Sequence, residues 1–593
     1  MIGTYAAVSA VCGASLAIGQ AAIAVCGARR WSWLAPAVGL ALLCAVCWGT
    51  VRLGGDGVLS AVAVVLLAVA SAAYLWRRLE GGGEALRSGW PVALLALLAA
   101  SLPFAVEGHF GILGTSFNPD MSQHLLATDR LAHGHESPLL HQGYPLGPHA
   151  VVVALSKGLG SGLVQGFSGL TVAVAVLACL TALTAFPSLK PLPRTAGALV
   201  VGLAYLVASY FAQGAFKETM QALFVLAFVL ALRESTRSWR DLPLRFVPGA
   251  LIAAGSVYAY SFAGLIWLVA AAAIWIALDA ATGRRRPPVR ELLLGLVVFA
   301  VFVAPELGRM IDFQQFETFD PNGPGLGNLF GQISPFEALG IWPSGDFRLA
   351  PGDGAVPAAG YYLGIAFALA LLAHGLVGCW RRRESALLAG VAGAALVYVA
   401  ARTGGTPYTA AKAIEVAAPL VALTILLPLL DSVELRFFRP TGTKSPARRL
   451  QAVSATAFVA AAGACSALAL ANAPVGPTSY SSTLTGLRPL VAHDSTLVLA
   501  SPELLDEQHG IPYISWELRG GRVCLAREGE LLAPPPGVRF VVTRGDSEEP
   551  PFAGLRARRA APPYVLWEST APARGQSPCP LIAVRQARQG PTP

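Results

Sequence analysis

Long apolar runs recur along the chain, divided by short polar or basic stretches. Residues 61–75, 90–105 and 363–379, with their flanks, approach the roughly twenty residues that carry an α-helix across a bilayer. The runs are continuous rather than alternating, which selects helices over a closed barrel, the other architecture that satisfies its backbone in lipid. The pattern predicts about fourteen spans, at 5–27, 33–51, 57–76, 90–106, 166–186, 196–211, 218–233, 246–260, 262–279, 291–305, 359–379, 385–401, 413–430 and 451–472. The fold class expected is an all-α polytopic membrane protein followed by a small extracytoplasmic α/β domain. The membrane domain takes residues 1–472, with large loops at 107–165 and 306–358, and the soluble domain takes 473–593. Strand-like runs in the tail lie at 495–500, 538–543 and 564–567, with Pro534, Pro535 and Pro536 marking a turn.

Basic residues fall on alternate loops. Arg77, Arg78 and Arg87, Arg284, Arg285, Arg286 and Arg290, Arg381, Arg382 and Arg383, and Arg436, Arg439, Lys444, Arg448 and Arg449 all belong to one set. Positive charge marks the cytoplasmic side. The N-terminus, the loops 107–165 and 306–358, the segment 402–412 and the tail are therefore expected outside a bacterial-type cell membrane. A group-transfer enzyme on that face has no ready supply of nucleotides and needs a lipid-linked donor.

Composition agrees. The 593 residues are 54% hydrophobic and 13% charged, against roughly a quarter charged in soluble chains. The formal net charge of +9 is explained by topology-setting residues between spans and does not call for nucleic acid. The first span lacks a basic leader, so no cleaved signal peptide is expected. Seven cysteines lie in or beside apolar runs as packing residues. Cys524 and Cys579, in the polar tail, are the one pair placed to form a disulfide.

Candidate chemistry gathers in segment 118–149, where five of the nine histidines lie: His124, His133, His135, His141 and His149. Asp120 and His124, four residues apart, share a helix face. Asp120 follows Asn118 and Pro119, a helix-start signal. It has three readings: a general base, one ligand of a hard divalent cation, or a helix cap. The histidine spacing matches no tight zinc pattern. Lys217 and Glu218 stand at the outer end of a span, where a lysine either snorkels to the interface or suits phosphate. Loop 306–358 interleaves acids with aromatic rings, as a sugar site or an amphipathic surface loop would. In segment 402–412, Arg402 and Lys412 flank a Gly-rich stretch that leads into a span; they are either ordinary interface anchors or, with the helix-terminal amides, a phosphate seat fit for polyprenyl phosphate.

With these residues in view, the membrane part, roughly 90–430, resembles the GT-C type membrane glycosyltransferases, the broad group of protein mannosyltransferases, lipid A aminoarabinose transferases and Rgt-type enzymes. The resemblance is carried by the first outer loop with Asp120, by Gly143, Tyr144 and Pro145 with His149, by Lys217 and Glu218, and by Pro407, Tyr408 and Lys412. It implies a polyprenyl-phosphate sugar donor and a glycan, lipid or protein acceptor. Asp120 would be the general base, Lys217, Arg402 and Lys412 would hold the donor phosphate, and His124, Tyr144, His149, Glu218 and Tyr408 would contact substrate. Asp120 stands alone, without an Asp-x-Asp or Glu-Asp pair, so no cofactor is assigned and a divalent cation stays open. The rival readings are a transporter or flippase for a lipid-linked or polar solute, and a non-enzymatic envelope scaffold.

Overall fold

The computed structural model describes residues 1–570 other than 55–56, 119, 136, 283–288, 317–324, 355, 435–445, 502–509 and 546–548. Cys579 and the basic residues Arg284, Arg285, Arg286, Arg436, Arg439 and Lys444 lie outside the described residues. The chain divides into two compact units. The first holds Met1–Asn118 and Leu131–Val475, and the second gathers Pro119–Arg130 with the chain from Gly476 onward.

The first unit is helical. Its N-terminal part runs α1 (Ile2–Val25), α2 (Ala35–Gly54), α3 (Val58–Trp76), α4 (Gly82–Ala100), α5 (Leu102–Glu107) and a short strand β1 (Ile112–Leu113). After α6 (Met121–Ala132), which belongs to the second unit as far as Arg130, come α7 (Pro138–His141), α8 (Gly147–Leu159), α9 (Leu163–Ala182), α10 (Pro191–Gly202), α11 (Tyr205–Ala212) and α12 (Phe216–Ser235). The remainder is α13 (Val247–Ala281), α14 (Val289–Val303), α15 (Leu307–Phe313), α16 (Ala358–Arg381), α17 (Ser385–Gly404), α18 (Pro407–Glu434) and α19 (Pro446–Ala471).

Helices α9 and α18 are enclosed by their neighbours, whereas α3, α14 and α16 are peripheral and turn residues such as Val65, Leu66, Val297 and Leu363 outward. That is the distribution expected where lipid, not water, is the surrounding solvent. Helices α1 and α2 approach closely through small residues: a Cβ on Gly19 or Gly39 would collide with the partner helix backbone, the contact by which membrane helices gain van der Waals packing.

Among the described residues, ten helices are long and apolar enough to cross a membrane, or eleven when α10 and α11, bent by 54°, count as one span. The fourteen spans expected differ for identifiable reasons. Helix α4 contains Glu84 and Arg87, and α12 contains Lys217, Glu218 and Arg233. The divider expected around 258–261 is not a loop, because α13 runs through it for 35 residues, interrupted at Ser261 by a single left-handed conformation (φ 57°, ψ −155°). The stretch Tyr258, Ala259, Tyr260, Ser261 holds no Gly, Pro or charge to end a helix.

The second unit is a small α/β body. After β2 (Val475–Gly476) come α20 (Ser482–Val491), β3 (Ser495–Ala500), α21 (Gly510–Glu517), β4 (Arg522–Arg527), β5 (Phe540–Arg544), β6 (Leu555–Ala561) and β7 (Tyr564–Ser569). The five-stranded sheet has the order β4-β3-β5-β7-β6. Strand β3 pairs parallel with β4 and β5, while β7 pairs antiparallel with β5 and β6. Alternation along β3 explains the layering. Val498 and Ala500 pack with Leu484, Leu487 and Val491 of α20 and Ile514 of α21, while Leu497 and Leu499 pack with Val541 and Trp567 on the other face. Cys524 is disulfide-bonded.

Candidate active site

In the membrane unit, a polar cluster forms where the first turn of α12 meets α18. Lys217 and Glu218 lie in the first turn of α12 and are both buried. Lys412, on the second turn of α18, pairs with Glu218 at 2.9 Å. Its ammonium also lies 4.1 Å from the Tyr408 ring centroid, over the face, where the ring quadrupole attracts a cation. The hydroxyl of Tyr260, the last helical residue before the Ser261 break, donates to Glu218 Oε1 at 3.4 Å.

Lys217 turns to Tyr144. Its ammonium donates to the Tyr144 hydroxyl and lies 4.0 Å from that ring's centroid. Tyr144 is held on its other side by α15 and by Phe316, just past the end of that helix. Arg309 donates to the Tyr144 carbonyl and to the Leu140 carbonyl at 3.1 Å, and the rings of Phe313 and Phe316 stand 5.7 and 5.3 Å from that of Tyr144. Arg309 is itself fixed by Glu306 at 3.2 Å. Glu306 also accepts from the Trp48 indole.

Sequence reasoning thus named five residues that the structure brings into one network: Tyr144, Lys217, Glu218, Tyr408 and Lys412. His149, on the first turn of α8, is fully enclosed, with its ring 5.6 Å from both Phe167 and Phe216 and 6.3 Å from Tyr144. Burial among these rings lowers its imidazole from 6.5 to about 3, because desolvation disfavours the charged form. Arg402 is exposed in the last turn of α17.

The phosphate seat expected at the start of α18 is occupied by the protein itself. Only Gly405 and Thr406 separate α17 from α18. Thr406 and Thr409 cap one another, the Thr409 amide donating to Thr406 Oγ1 at 3.2 Å and the Thr406 amide to Thr409 Oγ1 at 2.9 Å. Pro407 has no N–H, and the Tyr408 amide donates to the Gly325 carbonyl at 3.3 Å. The terminal amides that would cradle an anion are therefore engaged.

Loop 306–358 spends several of its acids on structure. Asp346 takes Arg348 at 2.7 Å, and that guanidinium lies 4.4 Å from both the Phe117 and Phe330 ring centroids. Glu337 is buried and accepts from the Ser334 amide in a capping box. Glu317 and Asp320 lie outside the described residues.

Sequence reasoning passed over one member of the membrane cluster. Glu415 lies one turn beyond Lys412 on α18, is fully buried, and interacts electrostatically with Glu218 and Lys412. Its signal was available: a carboxylate inside an apolar run is costly and marks function by default.

Asp120 and His124 fall in the second unit. Asp120 is half-buried, and its carbonyl accepts from the amides of Gln123 and His124 at 3.0 and 3.2 Å, so it stands at the N-cap position of α6. Within this unit it interacts with Tyr480, whose phenol is pushed up by burial, then by Glu517 and Asp120. Asp129, further along α6, lies 3.7 Å from Arg519. The Arg519 guanidinium sits 3.4 Å from the Trp516 ring centroid; burial and neighbouring Arg488 lower it to about 10. His133 and His135 are exposed, with rings 6.1 Å apart. Among the described residues, no three His, Cys, Asp or Glu are grouped to hold a metal ion.

No protein-family model matches the chain, and no curated protein sequence matches it. Solved structures do. The cryo-EM structure of the arabinofuranosyltransferase AftD from Mycobacteria is similar with a TM-score of 0.50 at 15% identity, over 82% of this chain and 40% of that one. A mutant of the same protein gives 0.47 at 13% identity, over 82% and 42%. The chain spans less than half the length of the AftD chain it matches.

Proposed function

From the GT-C-like fold of this multi-pass membrane chain, we propose that the protein is an integral membrane glycosyltransferase. It moves a sugar from a polyprenyl-phosphate donor to a glycan, lipid or protein acceptor on the outer face of the cell membrane. The observation that carries the reading is the buried cluster of Lys217, Glu218 and Lys412. Two ammonium groups meet one carboxylate here, and ionisable groups inside a membrane domain mark a functional site by default. A phosphate monoester or diester headgroup is an anion suited to such ammonium groups. Arg402, at the exposed end of α17, is suited to meet the donor earlier on its approach.

Transfer follows from these roles. Asp120, assigned as base on the resemblance, removes the proton of an acceptor hydroxyl. The acceptor oxygen attacks the anomeric carbon, and the bond from that carbon to the phosphate oxygen breaks. Polyprenyl phosphate leaves with the electron pair. Attack opposite the leaving group inverts the anomeric centre.

The test is a transfer assay with purified protein and a panel of polyprenyl-phosphate pentoses and hexoses. Turnover by wild type that falls at least a hundredfold in D120N, with unchanged thermal unfolding, supports the reading; near-normal turnover in D120N removes Asp120 as the base. The rival transporter reading is favoured by the bend between α10 and α11 and the Ser261 break, since broken helices at membrane depth line solute paths. Lipid or solute movement in proteoliposomes, with no sugar transfer across the panel, would establish it instead.

A further inference from the structure

Glu415 is the most anomalous side chain in the membrane unit. It lies on α18, eight residues inside a helix that is apolar enough to span the membrane and that its neighbours enclose. It is fully buried, and both carboxyl oxygens are buried without a hydrogen-bond partner. Nearly all buried polar groups in proteins are hydrogen-bonded, because the alternative costs the full desolvation of the group. A carboxyl left in this state reduces stability and has no structural task among the described residues.

Its surroundings narrow what it serves. Glu415 interacts electrostatically with Glu218 and Lys412, and with Tyr210 of α11 and Tyr260 of α13. Both phenols belong to broken helices: α11 follows the 54° bend, and Tyr260 immediately precedes the strained Ser261. Non-helical backbone at membrane depth is tolerated where it serves an interior site, and strained backbone clusters at such sites. The cluster therefore has two chemically distinct parts. The lysines offer charge to an anion. Glu415, within electrostatic reach of two phenols, offers hydrogen-bond capacity, which matches the hydroxyls of a sugar ring.

We propose that Glu415 is a sugar-recognition residue, forming with Tyr210 and Tyr260 a subsite for the hydroxyls of a lipid-linked sugar whose phosphate is held by Lys217 and Lys412. This rests on the function proposed above and assigns one part of that site to the sugar. Binding supplies the hydrogen bonds that the carboxyl lacks, so recognition depends on the hydroxyls and not on the lipid or the phosphate. A site built to hydrogen-bond a hydroxyl rejects ligands lacking it far more strongly than an apolar pocket discriminates by shape.

The experiment measures binding to full-length protein in detergent by thermal shift, with undecaprenyl phosphate alone and with its pentose and hexose conjugates, for wild type, E415L and E415Q. Wild type is expected to bind at least one conjugate tenfold or more tightly than the bare lipid phosphate. E415L is expected to unfold at the wild-type temperature or above, to keep its affinity for the bare lipid within twofold, and to lose the sugar-dependent increment. E415Q, which keeps hydrogen-bond capacity, retains part of the increment. The proposal is overturned if E415L keeps the increment, if wild type shows none for any conjugate, or if E415L and E415Q both unfold well below wild type, which would make Glu415 structural. If wild type binds neither the bare lipid nor any conjugate, the donor class itself is wrong and the proposed function falls with it.

Discussion

Gly143 packs directly against the main-chain carbonyl of Arg309, in a left-handed conformation at φ +67° that a side chain would strain. The contact fixes the residue that precedes Tyr144, and so fixes the phenol on which Lys217 rests. Replacement by alanine adds a steric overlap to the conformational strain. G143A is expected to lower stability by about 1–3 kcal/mol, read as a lower unfolding temperature in detergent. An unchanged unfolding temperature would mean that the α15 segment gives way freely.

Lys412 and Glu218 form a buried pair, and removing one partner leaves the other uncompensated. K412M or E218L alone is expected to cost about 3–5 kcal/mol, while the double variant K412M/E218L recovers most of that loss. On the function proposed above, sugar transfer stays reduced in the double variant, because one of the two ammonium groups assigned to the donor phosphate is gone. Recovery of transfer with stability would show that the pair only holds the helices together.

A second buried pair ties α12 to the start of α17. Arg233 Nε and a terminal guanidinium nitrogen reach the two oxygens of Glu384 at 3.0 and 3.1 Å, and Arg237 adds a contact at 2.8 Å. The fork geometry suits arginine and not lysine. E384A is expected to destabilise by about 3 kcal/mol and R233K by less, with the affinity for lipid-linked sugar unaltered. Loss of binding at full stability would place this end of α12 in the site.

His149 gives a pH dependence with a definite sign. In the unfolded chain its imidazole takes up a proton below 6.5; in the folded protein burial holds it neutral to about 3. Its contribution to stability is intact above pH 6.5 and is lost as pH falls, by about 1.4 kcal/mol for each pH unit below that value. Carboxylates begin to contribute below about pH 5, so the window between reports histidine titration. H149F, surrounded by Phe167 and Phe216, is expected to flatten the profile there. An identical slope in wild type and H149F would place the dependence elsewhere.

The membrane class and the tail sheet were legible because both rest on periodicity. Continuous apolar runs give helices, and the runs at 495–500, 538–543 and 564–567 coincide with β3, β5 and β7. Strand β6 was missed because nearly all of it is exposed: Leu555–Ala561 carries Arg556, Arg558 and Arg559 and lies at the sheet edge, where charge protects an unpaired edge and erases the hydrophobic signal. The divider expected at 258–261 shows the opposite limit, since the helix runs on there and only Ser261 departs from it. No local residue type announces that single conformation. Within the site, Lys217, Glu218 and Lys412 were visible as charges at span ends. Glu415 was hidden by its apolar neighbours, and what surrounds it comes from three other helices, which local sequence does not bring together. Asp120 was legible as a helix start, and its grouping with the chain after Gly476 was not, because that association joins segments separated by several hundred residues.

The reciprocal threonine cap at the head of α18 has an evolutionary consequence. Backbone amides are common to every residue but proline, so a ligand held by them survives most substitutions. Here Thr406 and Thr409 have taken those amides out of play. Whatever grip this end of α18 has on an anion is carried by replaceable side chains. Any anion selectivity at this position would therefore rest on side chains that single-codon changes can alter without rebuilding the helix.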